Sequence, residues 1–276
     1  MSAWLGDTTR NGADLELLCR EQIDTASVLQ TFRDIISTAD DAVVFDIGTL
    51  STAFVRPGRI GSIRLAIEAT IETARIPIGL NIGYGDVVFP TPAEIKYPTL
   101  LSEPLPHIRC YRRETVLAET LQRIVAHPSE PPAPSALRDL YLLIRTFDFD
   151  APAAARAMSA TFRRRGTAMP TSLPIGLGAS PTRCRPLQAQ WRVLRAGDCL
   201  LKDVDLAADC LSLVAAFVGP LLKGMANSEI SIGHWPAGGP WVASRATLSR
   251  FDQVLYREPT AITPPVRRMS PGQRAR

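Results

Sequence analysis

The feature that most constrains this chain is a change of period after its first hundred residues. Up to that point the apolar residues come in short runs rich in β-branched side chains, Val43-Val44-Phe45, residues 76–82 and Val87-Val88-Phe89, bounded by Gly, Pro or Asp. Such runs predict strands. Between them Val28, Leu29, Phe32, Ile35 and Ile36 recur at helical spacing, which predicts a helix over residues 26–37. From Arg113 onward the helical period takes over, with helices predicted over residues 114–126, 135–147, 151–165, 186–195 and 206–222. Pro104 and Pro106 interrupt the pattern between the two regimes. The fold class is therefore α+β, with a mixed sheet and helices in residues 1–105 and a helical domain in residues 106–258. Residues 259–276 are rich in Pro and Arg without apolar periodicity, and read as a disordered tail. Ser135 follows a Pro-rich stretch that cannot continue a helix, which makes it a candidate N-cap.

A chain of 276 residues with 46% hydrophobic and 21% charged residues has enough apolar surface for one large core or two small ones. Its longest apolar run, residues 211–218 before Gly219 and Pro220, falls short of the roughly 20 residues that cross a bilayer, so no membrane span is expected. Met1-Ser2-Ala3-Trp4 has neither the basic flank nor the apolar stretch of a secretion signal, which suggests a cytoplasmic protein. The five cysteines are scattered and form no C-x-x-C pair, which argues against a disulfide framework or a zinc site. The formal charge of +4 permits a nucleic-acid partner without requiring one.

In Ala13-Asp14-Leu15-Glu16-Leu17-Leu18, a strand would project Asp14 and Glu16 from one face and turn Leu15 and Leu17 to the core. Two carboxylates so arranged suit Mg²⁺, a hard cation that takes oxygen ligands and shares them with substrate phosphates. The same pattern also describes the solvated face of a half-exposed sheet.

The next segments carry a resemblance. Asp40-Asp41-Ala42-Val43-Val44-Phe45-Asp46, then Ile78-Gly79-Leu80-Asn81-Ile82-Gly83-Tyr84-Gly85-Asp86, then Tyr97-Pro98-Thr99-Leu100-Leu101 are similar to the central region of the AbiEii/AbiGii toxin family of nucleotidyltransferases. Downstream, Tyr111-x-x-Glu114 with Ala118-Glu119 resembles that family's Tyr-x-x-Glu and Ala-Glu-Lys. Ser135-Ala136-Leu137-Arg138-Asp139-Leu140-Tyr141 resembles its Ser-Arg-Met-Lys-Asp-Phe-Tyr, and Thr161-Phe162-x-x-Arg165-x-Thr167 resembles its Thr-Phe-x-x-Arg-x-Thr. The resemblance implies a nucleotidyltransferase-like sheet domain followed by a helical domain. It also implies a nucleotide triphosphate substrate, Mg²⁺, an acceptor such as tRNA or another RNA, and a cognate antitoxin. Asp14 and Glu16 would be metal ligands, with Asp86, Arg138 and Asp139 as further catalytic residues.

The departures point the other way. No Gly-Gly or Gly-Ser turn precedes Asp14, so the family's phosphate cradle and first elements are missing from the front of this sequence, and an in-frame extension upstream of Met1 would restore them. Asn81 stands for the family's Asp, Thr120 for its Lys, Leu142 for a second Asp and Glu16 for a more usual Asp. Two expectations follow: a toxin-type nucleotidyltransferase whose transfer is impaired or lost, or a non-catalytic remnant that binds an antitoxin or RNA. Other features read blandly. His107, His127 and His234 have no partner at ligand spacing, and the Gly176-Leu177-Gly178 stretch lacks a P-loop lysine. Arg163-Arg164-Arg165 suits a helix end facing solvent, with RNA contact as the other reading, and Trp235 and Trp241 suit packing over base stacking.

Overall fold

In residues 61–71 every second side chain is apolar and the others are mostly polar, which decides how the first half folds. The computed structural model describes residues 4, 15–38, 43–56, 58, 60–97, 105–178, 184–227 and 232–243. Gly61–Ile71 forms strand β3, in which Ile63, Leu65, Ile67 and Ala69 are buried while Arg64, Ala66 and Glu68 face outward. It is central to a four-stranded sheet of order β1-β4-β3-β2, with β1 (Leu15–Cys19) parallel to β4 (Ala74–Tyr84) and the other pairings antiparallel. β2 (Val43–Arg56) is an edge strand broken by a bulge between Asp46 and Ser51. Helix α1 (Thr25–Ser37) covers the buried face through Val28, Phe32 and Ile36. Its start is fixed by Asp24, whose carboxylate accepts from the Ser27 amide at 2.8 Å and from the Ser27 hydroxyl at 2.9 Å.

β3 is not among the strands expected above, because its apolar residues alternate with those of a wet face and form no continuous run. The strand expected at residues 87–89 does not form. Gly85 takes φ 75°, a left-handed conformation that suits glycine, and the chain leaves the sheet there. The Phe89 carbonyl instead accepts from the Thr115 hydroxyl at 2.7 Å. A two-stranded ladder, β5 (Ala93–Lys96) with β6 (His107–Cys110), leads into the helical half.

Helices α2 (Arg113–Ala126), α3 (Pro134–Thr146), α4 (Ala151–Arg164) and α5 (Arg185–Ala196) follow. A π-helical turn (Leu206–Leu211) then runs into α6 (Ser212–Ala226). Helix α3 starts earlier than expected, with Ala133 rather than Ser135 at the cap and Pro134 in the first turn, where a missing N–H leaves nothing unpaired. Asp150 caps α4, accepting from the Ala153 amide at 3.0 Å. Leu137, Leu140, Leu143, Met158, Phe162, Phe217 and Leu221 are buried in one cluster, separate from the cluster under the sheet. Each such side chain removed from water contributes roughly 1.5–3 kcal/mol before chain entropy is counted.

A small sheet of β7 (Phe149–Asp150), β8 (Ile232–Trp235) and β9 (Val242–Ala243) closes the helical half. Trp235 is buried with its Nε1 donating to the Ile144 carbonyl at 2.8 Å, and Trp241 donates to the Phe217 carbonyl at 2.9 Å. Both indoles are thus packing residues. The continuous helix Leu206–Ala226 has 21 residues and a mean hydropathy of 1.6, long and apolar enough to cross a bilayer, contrary to the shorter run read from the sequence. Here it buries Val214, Phe217, Val218, Leu221 and Leu222 in the helical core. The tail expected over residues 259–276 lies outside the described residues, and all five cysteines are free thiols.

Candidate functional site

On the face of the sheet opposite α1, three polar side chains stand in a row across three strands. Glu16 of β1 is in register with Asn81 of β4, which is in register with Arg64 of β3. The Asn81 amide nitrogen donates to Glu16 Oε1 at 3.0 Å, and its oxygen accepts from Arg64 Nη1 at 3.2 Å. The amide serves both neighbours because it donates at one end and accepts at the other, which a carboxylate cannot do. An Asp at position 81 would accept from Arg64 but face Glu16 with a second negative oxygen. Asp14, the other acid of the strand, lies outside the described residues. Leu15 and Leu17 share the face of Leu80 and Ile82, yet remain 53% and 44% exposed at the sheet's edge.

A second network lies where the sheet meets the helices. Arg165, the residue that caps α4, donates Nε to Asp86 Oδ2 at 2.9 Å and makes a further Nη2 contact to the same oxygen. Its Nη2 also reaches Glu119 Oε2 at 3.2 Å and its Nη1 donates to Gln122 Oε1 at 2.8 Å. Gln122 in turn donates to the Thr167 hydroxyl at 2.7 Å, and Arg164 Nε donates to the Gly85 carbonyl at 2.6 Å. Arg164 and Arg165 therefore hold the segment that leaves β4 rather than facing solvent, while Arg163 is exposed. Burial outweighs the Arg165 charge at Glu119 and lifts its carboxyl above the usual carboxylate range, while Glu119 Oε1 is buried with no hydrogen-bond partner. Burial also pushes the Tyr111 hydroxyl up, helped by the negative fields of Glu119, Asp86 and Glu16.

Arg138 and Asp139 are arranged differently. The Arg138 guanidinium, 1% exposed, pairs with Asp198 and meets Asp139 at 3.2 Å. Asp198 Oδ1 accepts from the Leu200 amide at 2.9 Å, so this pair ties α3 to the turn after α5. Thr120, at the position of the family's lysine, is 2% exposed within α2. Of the expected site residues, Glu16 is hydrogen-bonded to Asn81 in the sheet's row and Asp86 is committed to Arg165. The structure gives Arg138 a buried ion pair in the helical core. Tyr111, Glu119, Arg165 and Thr167 were not expected as site residues, although each stands in a segment that carries the resemblance; Gln122 has no such signal.

Magnesium at this site calls for a cluster of oxygen ligands. Among the described residues no three His, Cys, Asp or Glu side chains gather to hold a metal ion. Glu16 already shares one oxygen with an amide whose other end faces a guanidinium, so the donors described do not fit a two-metal centre.

The mixed sheet with an acid-bearing edge strand, backed by a helix and joined to a helical half, is an α+β architecture, and the family match gives its class as nucleotidyltransferase. The model of the nucleotidyl transferase AbiEii toxin family, type IV toxin–antitoxin systems, matches residues 1–206. The chain belongs to that family. No curated protein matches it. Among solved structures, it is similar to a proposed nucleotidyltransferase from H. pylori, at 13% identity and a TM-score of 0.40 over 82% of this chain and 84% of that one. JHP933 from Helicobacter pylori is 12% identical, with a TM-score of 0.43 over 82% of each chain. At those TM-scores neither likeness adds weight, and the family match carries the assignment.

Proposed function

We propose that this chain is a toxin-type nucleotidyltransferase whose transfer step is impaired. The intact reaction moves a nucleotide from a nucleoside triphosphate to an RNA acceptor such as tRNA, in the presence of Mg²⁺ and under the control of a cognate antitoxin in the cytoplasm. The observation that carries the reading is the row Glu16–Asn81–Arg64, where an amide and a cation occupy the side of the sheet on which the chemistry needs negative oxygens. The withdrawal of Asp86 into a bond with Arg165 points the same way. Losing one electrostatic group of an active site lowers turnover by about 10²–10³. A second reading, a non-catalytic remnant that binds an antitoxin or RNA, is favoured by Arg138, whose side chain serves the helical core.

The test is a transfer assay with purified protein, Mg²⁺, labelled nucleoside triphosphates and total tRNA, run beside Asn81→Asp. Label transfer at least tenfold faster in the variant supports an impaired enzyme. Equal and robust labelling by both would show that position 81 does not limit the chemistry and that the chain is not impaired. No labelling by either favours the remnant.

A further inference from the structure

Helix α5 carries a polar stripe that neither the sheet's row nor the interface network uses. Arg185, Gln188, Arg192 and Arg195 recur at steps of three, four and three, which aligns them along one side of the helix, while Leu187 and Trp191 are buried. The helix contains no acidic residue. Arg185 and Arg192 are exposed, and among the described residues neither guanidinium has an acceptor. Beside the stripe lies a cavity of about 200 Å³, lined by Gln188, Arg192 and Arg195 on one side and by Asp205 and Leu206 on the other.

Asp205 lines the cavity opposite Arg195 and feels its charge, while its hydrogen bonds and those of Asp209 stay within their own turn. Asp205 Oδ1 accepts from the Ala207 and Ala208 amides at 2.8 Å each, and Asp209 Oδ2 accepts from the Asp205 amide at 2.7 Å. Arg195 is held in place by a 3.4 Å bond to the Val204 carbonyl. The helix side of the groove is thus edged by the guanidinium groups of Arg192 and Arg195, with Arg185 further along the same stripe, and their planar forks match pairs of phosphate oxygens. Three such groups on one helix suit a chain of phosphates better than a single anion.

We propose that this stripe binds the phosphodiester backbone of RNA, gripping the acceptor by its charge rather than its sequence and away from the Glu16 face of the sheet. The proposal rests on the reading that RNA is the acceptor. It makes Arg185 and Arg192 contact residues, Arg195 a fixed wall of the groove, and the affinity strongly dependent on salt.

The experiment is fluorescence anisotropy of labelled tRNA titrated with the full chain between 50 and 200 mM salt, about the range in which phosphate contacts report themselves. The Arg185→Ala/Arg192→Ala variant is expected to reduce the slope of log affinity against log salt by about 1.4–1.8, from two contacts at roughly 0.7–0.9 each. Arg185→Lys/Arg192→Lys should keep most of the slope. Arg33→Ala, an exposed cation on α1, should leave it unchanged, and equal melting temperatures check that the variants fold. The proposal is overturned if the double alanine variant keeps the wild-type slope, if Arg33→Ala lowers it equally, or if the protein binds polyglutamate through these residues and no RNA. RNA labelling in the transfer assay alongside an unchanged slope would sink the stripe and leave the acceptor reading standing. Absence of any RNA binding or labelling would sink both.

Discussion

Replacing Arg165 by methionine, which keeps much of the volume and removes the charge, is expected to loosen the whole chain. The change strips Asp86, 7% exposed, and Glu119, 23% exposed, of the cation they share, and leaves the Gln122 carbonyl oxygen without its donor. Breaking a buried ion pair from one side costs about 3–5 kcal/mol, and the partial exposure of Arg165 (17%) and Glu119 favours the lower end, about 3 kcal/mol. In a domain of this size 1 kcal/mol moves the midpoint by about 2–4 °C, so a fall of about 6–12 °C is expected in a thermal melt followed by circular dichroism. The effect also has a pH signature. Burial holds the Glu119 carboxyl above its ordinary range, so the folded chain keeps a proton that the unfolded chain has released. Stability from this group is therefore full below the unfolded value and falls as pH rises through the raised one. Arg165 opposes that rise, so its removal lifts the carboxyl further and extends the loss to higher pH. The deficit of Arg165→Met should be larger at pH 8 than at pH 5, and Glu119→Gln in the same chain should recover part of it. A midpoint within 2 °C of wild type, or a deficit that ignores pH, would refute the account of this network.

Three other outcomes are expected. Thr120→Lys places an ammonium where a side chain is 2% exposed, so the variant should melt well below wild type and gain no transfer activity. Asn81→Asp should lower the melting temperature in metal-free buffer, because Glu16 loses its donor and gains a like charge; millimolar Mn²⁺ should raise it again, by up to about 2.7 kcal/mol at a hundredfold excess over Kd, and an unresponsive melt would remove position 81 from any metal site. Asp150→Ala removes the N-cap of α4 and should cost about 1 kcal/mol in urea unfolding with an unchanged slope.

The helical half was legible from its period, since α2 to α6 each repeat apolar residues at helical spacing and differ from expectation mainly at their ends. The sheet was less so. β3 alternates rather than running apolar, and among the described residues the other unexpected strands are three of four residues and two of two residues, too short to leave a pattern. Glu16 and Asn81 were each singled out from the sequence, and they stand in register on adjacent strands, while Asp14 lies outside the described residues. The interface network was not legible. Asp86, Glu119 and Arg165 are far apart in sequence, and only the packing of α4 against α2 and the turn at Gly85 brings them together. The role of Arg138 was equally hidden, because Asp198 follows it by sixty residues.

Arg164 and Arg165, the final residue of α4 and the one after it, both bond the two residues that follow β4, so the end of this helix is pinned to the point where the chain leaves the sheet. Rotation of α4 about its long axis cannot occur without dragging Gly85 and Asp86, or else snapping those bonds. Opening the seam between the segment after β4 and the helices must break the bonds of residues 164 and 165 together with the Thr115–Phe89 bond, and a fluorophore pair across that seam would report their loss.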